Sequence, residues 1–113
     1  MKQIKERERD MRFDEDFMWV QKWFYQHCDG DWEQENQIKI RTTEYSEWVV
    51  TINIDETELK NKDFHELKIE KSENDWLECF IKNHKFIGRC GSLNLPDVFY
   101  VFRDWAEKFE RSF

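Results

Sequence analysis

The central part of this chain alternates apolar and polar residues with a period of two, and this alternation constrains the fold more than any other feature. Successive side chains of a strand point to opposite faces, so the pattern is typical of strands with one buried and one wet face. It occurs in four segments, 38–42, 48–54, 67–70 and 77–82. A hairpin at 82–85 then leads into a short last strand that begins at Phe86 and Ile87. We therefore expect an antiparallel sheet of about five strands.

A helix is predicted before this strand region, over residues 14–27. Its apolar residues recur at three- and four-residue spacing at Phe13, Phe17, Val20 and Phe24, and are widened by Trp19, Trp23 and Tyr25. Asp29-Gly30 is a turn signal that ends the helix, and Trp32 is then expected to open a strand.

A second helix is predicted at the C-terminal end. Asn94 is suited to cap it, Pro96 lies in its first turn, and Asp97 is the third residue after the cap. One apolar stripe follows, made of Leu95, Val98, Phe99, Phe102, Trp105, Ala106 and Phe109. Such a stripe must be buried, and the apolar face of the sheet is its expected partner. The predicted fold class is α+β, an antiparallel sheet flanked by an N-terminal and a C-terminal helix packed on it.

The composition favours one folded domain over residues 1–113. Charged residues make up 38% and mean hydropathy is -0.97, which alone would suggest disorder. However, 17% of the residues are aromatic, including six Trp and ten Phe, whereas disordered chains are poor in aromatic residues. Residues 1–12 form a charged extension with few apolar anchors, and we expect it either to fray or to lengthen the first helix.

The formal net charge of -7 bears on the class of partner. An acidic surface repels nucleic acid and anionic lipids and attracts a basic protein, so neither a nucleic acid nor a membrane is expected as partner. Three cysteines cannot all pair within a monomer, which favours reduced thiols. The N-terminus lacks an apolar signal region and no apolar run is long enough to span a membrane, so we expect a cytoplasmic protein.

The stretch from Cys28 to Glu33 is the candidate site for chemistry. It places a thiol, three carboxylates and an indole within six residues, directly after His27. A metal site would need several of these groups to converge, which a helix end followed by a turn does not imply. A thiol-dependent enzyme or small hydrolase built on Cys28 would need a low thiol pKa. We therefore expect no metal, no cofactor and no catalytic residue, and keep the enzyme as an alternative.

Three tryptophans are candidate partner contacts. Trp32, Trp48 and Trp76 each stand at a predicted strand start beside acidic residues. Carboxylates around an indole suit an Arg or Lys of a partner, and Trp is enriched at binding hot spots. The alternative is that these rings anchor the core, and the sequence leaves open which way each faces.

These segments together resemble the immunity protein 53 family of bacterial polymorphic toxin systems. The matching pieces are Trp23-Phe24, Gln26, Cys28-Asp29-Gly30-Asp31-Trp32-Glu33, Ile38-x-Ile40-x-Thr42, Trp48-x-Val50-x-Ile52, Thr57-x-Leu59, Asn74-Asp75-Trp76, Cys79, Phe86-x-Gly88, Gly91, Asn94-Leu95, Phe102 and Trp105. The resemblance runs from about residue 17 to residue 106, and Cys28–Glu33 is its most specific part. Residues 45–47 and 89–92 depart from the family pattern, which concerns the shapes of two loops.

The resemblance implies a non-enzymatic protein that binds and blocks a toxin domain in the cytoplasm of the producing cell. The acidic surface suggests a basic toxin, for example a nuclease. We expect the partner-binding residues to be Asp29, Asp31, Trp32, Glu33, Trp48, Asp75 and Trp76. The toxin's identity and the oligomeric state are left open, as is a structural module with another protein partner.

Overall fold

A computed structural model describes the backbone of residues 2–109 and the side chains of residues 14–109. The elements are α1 (Lys2–His27), α2 (Trp32–Glu35), β1 (Ile38–Thr42), β2 (Trp48–Asn53), β3 (Leu67–Ser72), β4 (Asp75–Lys82), β5 (Lys85–Cys90), α3 (Leu95–Ala106) and a 3₁₀ turn (Glu107–Phe109). The predicted α+β class, with five antiparallel strands between two long helices, is confirmed. Since α1 begins at Lys2, the extension is helical in its backbone, and the side chain of Phe13 lies outside the described residues.

The five strands form one antiparallel sheet in the order β1-β2-β5-β4-β3. Strands that follow one another in the sequence are neighbours in the sheet, except β2 and β3. These two are separated by β5 and β4, and residues 54–66 connect them. The predicted hairpin at 82–85 is confirmed. Asn83 and His84 both have positive φ, 53° and 59°, and this is the geometry of a two-residue turn that matches the twist of the flanking strands.

The register divides the sheet into two faces. One face, here called the packed face, carries the row Ile40, Val50, Gly88, Cys79 and Leu67 across all five strands. The other, here called the open face, carries the parallel row Arg41, Val49, Arg89, Glu78 and Lys68. The alternation of the sequence therefore places apolar residues on one side of the sheet and mostly polar residues on the other.

Both long helices pack on the same side. Val98 of α3 lies directly over Gly88, and Phe102 of α3 meets Phe86 with ring centroids 5.1 Å apart. Trp23 of α1, fully buried, meets Phe102 at 5.2 Å. Most of the predicted apolar stripe is buried at the centre of the core, whereas Leu95 and Phe109 are partly exposed and Phe109 lies in the 3₁₀ turn beyond α3. Tyr25 was expected to widen the apolar surface of α1, but it is 77% exposed.

Trp32 does not open a strand, and this prediction is wrong. Asp29 Oδ1 accepts hydrogen bonds from the backbone N–H groups of Asp31 and Trp32, at 2.9 and 2.8 Å. The Glu33 carboxylate accepts from the N–H groups of Asp29 and Gly30. These reciprocal bonds satisfy the free donors of a helical turn, as a capping box does. The chain consequently forms the short helix α2 before β1 begins.

Asn94 stands at the start of α3, but its side chain makes no bond to the helix backbone. Its amide instead donates to the Asp75 and Asp97 carboxylates, at 2.9 and 3.1 Å. The predicted side-chain cap is therefore wrong, and Asn94 ties the start of α3 to the start of β4.

Candidate partner-binding surface

The turn between α1 and α2 and the first two residues of α2 hold four of the predicted contact residues. Gly30 has φ 99°, a conformation that residues with a side chain rarely adopt, so glycine is required there. The bonds to the backbone N–H groups of Trp32 and Asp31 hold the pKa of the exposed Asp29 carboxyl below its ordinary value of 3.8. The Asp31 carboxylate is exposed and has no bonding partner among the described residues. Asp29 and Glu33 thus shape the turn, and Asp31 points its charge at solvent.

Trp32 is 5% exposed, so of the two orientations that the sequence left open, the ring that anchors the core is the one observed. Its Nε1 donates to the Asp55 carbonyl oxygen at 2.8 Å. Its ring lies against Phe24 and Trp23, with centroids 5.5 and 6.1 Å away. Trp32 therefore fixes the turn to the core, and any part it has in binding is to hold the neighbouring acids in place.

Behind this turn, His27, Trp23 and Glu58 form a half-buried polar network. The Glu58 carboxylate accepts from Trp23 Nε1 at 3.0 Å and faces His27 Nε2 at 2.8 Å, and His27 Nδ1 faces the Trp23 carbonyl oxygen at 2.7 Å. Burial raises the pKa of Glu58, but the bonds from its own backbone N–H, from His27 and from Trp23 outweigh it and lower the pKa overall. The network joins the end of α1 to the loop after β2.

Trp48 and Asp75 lie at the opposite end of the sheet. Trp48 is half-buried on the packed face, and its Nε1 donates to the Ser92 carbonyl oxygen at 3.0 Å. The Ser92 hydroxyl donates to the Ser46 carbonyl oxygen at 2.6 Å. Asp75 is exposed and accepts from Asn94. These bonds connect the β1–β2 turn, the start of β4 and the start of α3.

Trp76 differs from four other tryptophans in the bonding of its indole N–H group. Trp23, Trp32, Trp48 and Trp105 each donate Nε1–H to an oxygen of the protein. Trp76 is half-buried on the open face, and its indole N–H has no acceptor among the described residues. A tryptophan with an unused donor on a sheet surface is well suited to contact a partner.

The seven predicted residues do not form one patch. Residues 28–33, here called the acidic turn, are held by the Trp32 indole bond to Asp55, beyond the end of β2, whereas Trp48 begins β2. At about 3.3 Å per residue the two ends are roughly 20 Å apart. Trp76 follows Asp75 at the same end as Trp48, but it lies on the open face. The structure therefore brings Asp29, Asp31 and Glu33 together at one end and Trp48 and Asp75 at the other.

The thiols do not have the environment of a nucleophile. Burial raises the pKa of Cys28, with further contributions from Glu33 and Asp29, and its Sγ donates to the Phe24 carbonyl oxygen at 3.3 Å. Burial raises the pKa of both Cys79 and Cys90 to about 12. The low Cys28 pKa that the enzyme alternative predicts is contradicted. Within residues 14–109, no group of three or more His, Cys, Asp and Glu side chains is arranged to hold a metal ion.

Comparison with protein-family models shows which family these residues belong to. The family model described as immunity protein 53 matches residues 17–107, most of the chain. The chain belongs to the immunity protein 53 family. Neither the curated proteins nor the solved structures contain a significant match.

Membership of the immunity protein 53 family implies a protein that acts against a toxin, and it suggests an inhibitor and not an enzyme. The match begins inside α1 and includes the acidic turn, the whole sheet and α3. Across the described residues, no helix combines the length and the apolar character that a membrane crossing requires.

Sequence reasoning missed two residues that shape these surfaces. Glu58, which closes the network with His27, stands between Thr57 and Leu59 in a weak part of the family pattern. Arg89 lies on the open face, where it contacts Glu47 at 3.4 Å and Glu78 at 3.8 Å. Its place in the alternation of β5 was a signal of that position, but the charge pattern across strands became visible only with the strand order.

Proposed function

We propose that this chain neutralises a cognate bacterial toxin domain by binding it in the cytoplasm of the producing cell. The observation that carries the proposal is the immunity protein 53 match over residues 17–107. A binding role is further supported because burial raises the pKa of all three thiols, and because the exposed acids and the partly exposed Trp76 are available to a partner.

The toxin proposed here is a basic protein, for example a nuclease domain. The net charge of -7 supports this, since a strongly acidic inhibitor attracts a cationic partner over a distance comparable to the Debye length. Asp31 is the best placed contributor at the turn, because its carboxylate makes no internal bond. The same charge opposes binding to nucleic acids or anionic membranes, so neither is proposed as a partner.

The seven predicted residues take different parts in this proposal. Asp31, Asp75 and Trp76 are proposed to face the toxin directly. Asp29 and Glu33 hold the turn that presents Asp31, and Trp32 and Trp48 fix the two ends of the sheet through their indole bonds.

The test is co-expression of this chain with the toxin encoded beside it, in a host that the toxin kills. The wild-type chain is expected to protect, and the purified pair to form a complex. The Asp31→Lys/Asp75→Lys variant is expected to associate more slowly because it removes two acids and adds two bases. An Asp104→Lys/Glu107→Lys variant makes the same charge change at the end of α3 and the start of the 3₁₀ turn, and serves as the control.

Two results would contradict the proposal at different levels. If the wild-type chain neither protects nor binds, the toxin-neutralising function is wrong. If the Asp31→Lys/Asp75→Lys variant folds and associates as fast as the control variant, the specific contribution of these two acids is wrong.

A further inference from the structure

Within residues 14–109, the helices do not cover the open face of the sheet. Its apolar residues, Val49, Trp76, Phe80 and Ile87, all lie outside the cluster of side chains that forms the core, in which α1, α2 and α3 take part. Trp76, Phe80 and Ile87 are each partly exposed. An uncovered sheet face with several large apolar side chains is a common place for a partner to bind.

Charge is distributed unevenly between the open face and the rest of the molecule. Seven of the twelve Lys and Arg residues between positions 14 and 109 lie on this face or line its groove, Lys39, Arg41, Lys68, Lys71, Lys82, Lys85 and Arg89. Four of the twenty-one acids in the same range do, Glu47, Glu70, Glu73 and Glu78. The open face is therefore positive on a molecule whose net charge is -7.

A groove on this face surrounds Trp76. It has a volume of about 580 Å³ and is lined by Trp76, Glu78, Arg89 and the polar residues of β3 and the turn after it. Glu70 lies directly opposite Trp76 on the neighbouring strand. The groove offers an indole ring, an unused N–H donor and a guanidinium within one small area, which is the composition of a binding hot spot.

We propose that the open face is the surface on which the toxin domain docks, with Trp76 as its anchor. This inference rests on the proposed function and names its binding surface. Charge complementarity defines the other side: the docked patch of the toxin carries an apolar centre that covers Phe80 and Ile87, surrounded by carboxylates that pair with the Lys and Arg residues at the edges.

A toxin that is basic overall can present such a patch, because overall charge and local contact act on different steps. The net charge of the inhibitor governs how fast the two molecules meet, whereas the desolvated contacts govern how slowly they separate. The acidic turn and the open face therefore contribute to separate rate constants.

The test measures binding of the purified full chain to the purified toxin domain, together with protection in cells. Trp76→Ala is expected to weaken binding by about 30-fold or more, chiefly by faster dissociation. Tyr100→Ala removes an aromatic ring that is 49% exposed on α3 and is expected to leave binding unchanged. Lys39→Glu/Lys85→Glu, which reverses two exposed charges on the open face, is expected to weaken binding by at least about tenfold.

Lys22→Glu/Lys108→Glu is the matched control, because it makes the same change in net charge away from the open face. Circular dichroism and thermal unfolding establish whether each variant folds. If Trp76→Ala does not fold, the comparison of Lys39→Glu/Lys85→Glu with its control still tests the surface. The inference is overturned if wild-type chain binds the toxin and both open-face variants bind it equally well. It is also overturned if the open-face charges instead control binding to a single- or double-stranded oligonucleotide. Failure of the wild-type chain to bind would reject the proposed function itself.

Discussion

The residues around the end of α1 show how a single carboxylate can connect two parts of the fold. Glu58 accepts from Trp23 and faces His27, and the other nitrogen of His27 faces a backbone carbonyl oxygen. The Glu58 carboxylate and the Trp23 carbonyl oxygen can only accept hydrogen bonds. Both His27 nitrogens therefore donate at the same time only when each of them carries a hydrogen. The network is only partly exposed, so water replaces its bonds poorly.

Glu58→Gln is expected to lower the free energy of unfolding by about 1 to 2 kcal/mol at pH 7, because a charge-assisted bond is lost. The folded state lowers the pKa of Glu58, so its ionised form stabilises the fold above its ordinary pKa of 4.5, and this contribution disappears as pH falls through the lower folded value. Urea unfolding of both proteins from pH 7 to pH 3 measures the difference. A difference that stays constant over this range would show that ionisation of Glu58 is not its cause.

Cys28 allows a second prediction about one residue. Burial and two neighbouring carboxylates raise its pKa, so its thiolate is scarce at neutral pH. Iodoacetamide is expected to modify Cys28 more slowly than a small free thiol at pH 7.4, and Cys79 and Cys90 more slowly still in the folded protein. Mass spectrometry after timed quenching separates the three sites. Rapid modification of Cys28 would return the thiol-dependent enzyme to consideration.

At the level of elements, the sequence predicts what depends on repeated local patterns. Alternation placed four of the five strands because each needs one apolar face, and the hairpin at 82–85 placed the fifth. The stripe on α3 was long enough to determine its buried side. The start of α2 was missed because it depends on bonds from backbone N–H groups to the Asp29 and Glu33 carboxylates, which a Trp after an Asp-Gly turn does not reveal. The candidate site was harder still, since Trp76 and Arg89 share a face only through the strand order.

Asp29→Ala is expected to destabilise the protein by about 1 kcal/mol, because it removes the acceptor for two backbone N–H groups at the start of α2. Asp31→Ala, which removes a carboxylate without a partner, is the matched control and is expected to change stability by less than about 0.5 kcal/mol. Urea unfolding compares the two variants, and binding to the toxin shows whether Asp31 makes contact. Equal destabilisation by both variants would contradict the assigned roles.

The contact between α3 and β5 allows a prediction about packing. A side chain at Gly88 would overlap Val98, so Gly88→Ala is expected to cost about 1 to 3 kcal/mol. Val98→Ala makes room, and the double variant is expected to be more stable than the sum of the two single changes implies. Gly91→Ala is the control, because its side chain would meet the backbone oxygen of Asn74, which Val98→Ala does not move. Strict additivity for Gly88 and Val98 would show that the contact does not limit the packing.

The whole molecule is divided between two surfaces of opposite charge. The helices, the acidic turn and the connecting loops carry most of the carboxylates, while the sheet turns a positive, partly apolar face to solvent. The helices cover only the packed face of the sheet. The large apolar side chains of the open face therefore stay partly exposed, because no core receives them.

This division predicts that two sets of variants will change different rate constants for toxin binding. Asp31→Lys/Asp75→Lys reduces the long-range attraction, so it should lower the association rate, and the loss should shrink as NaCl rises from 50 to about 500 mM. Trp76→Ala leaves the net charge unchanged, so it should raise the dissociation rate at every salt concentration. Surface plasmon resonance over this salt series resolves both constants. The two-surface mechanism is wrong if Trp76→Ala acts only on association, because an anchored contact must act on the lifetime of the complex.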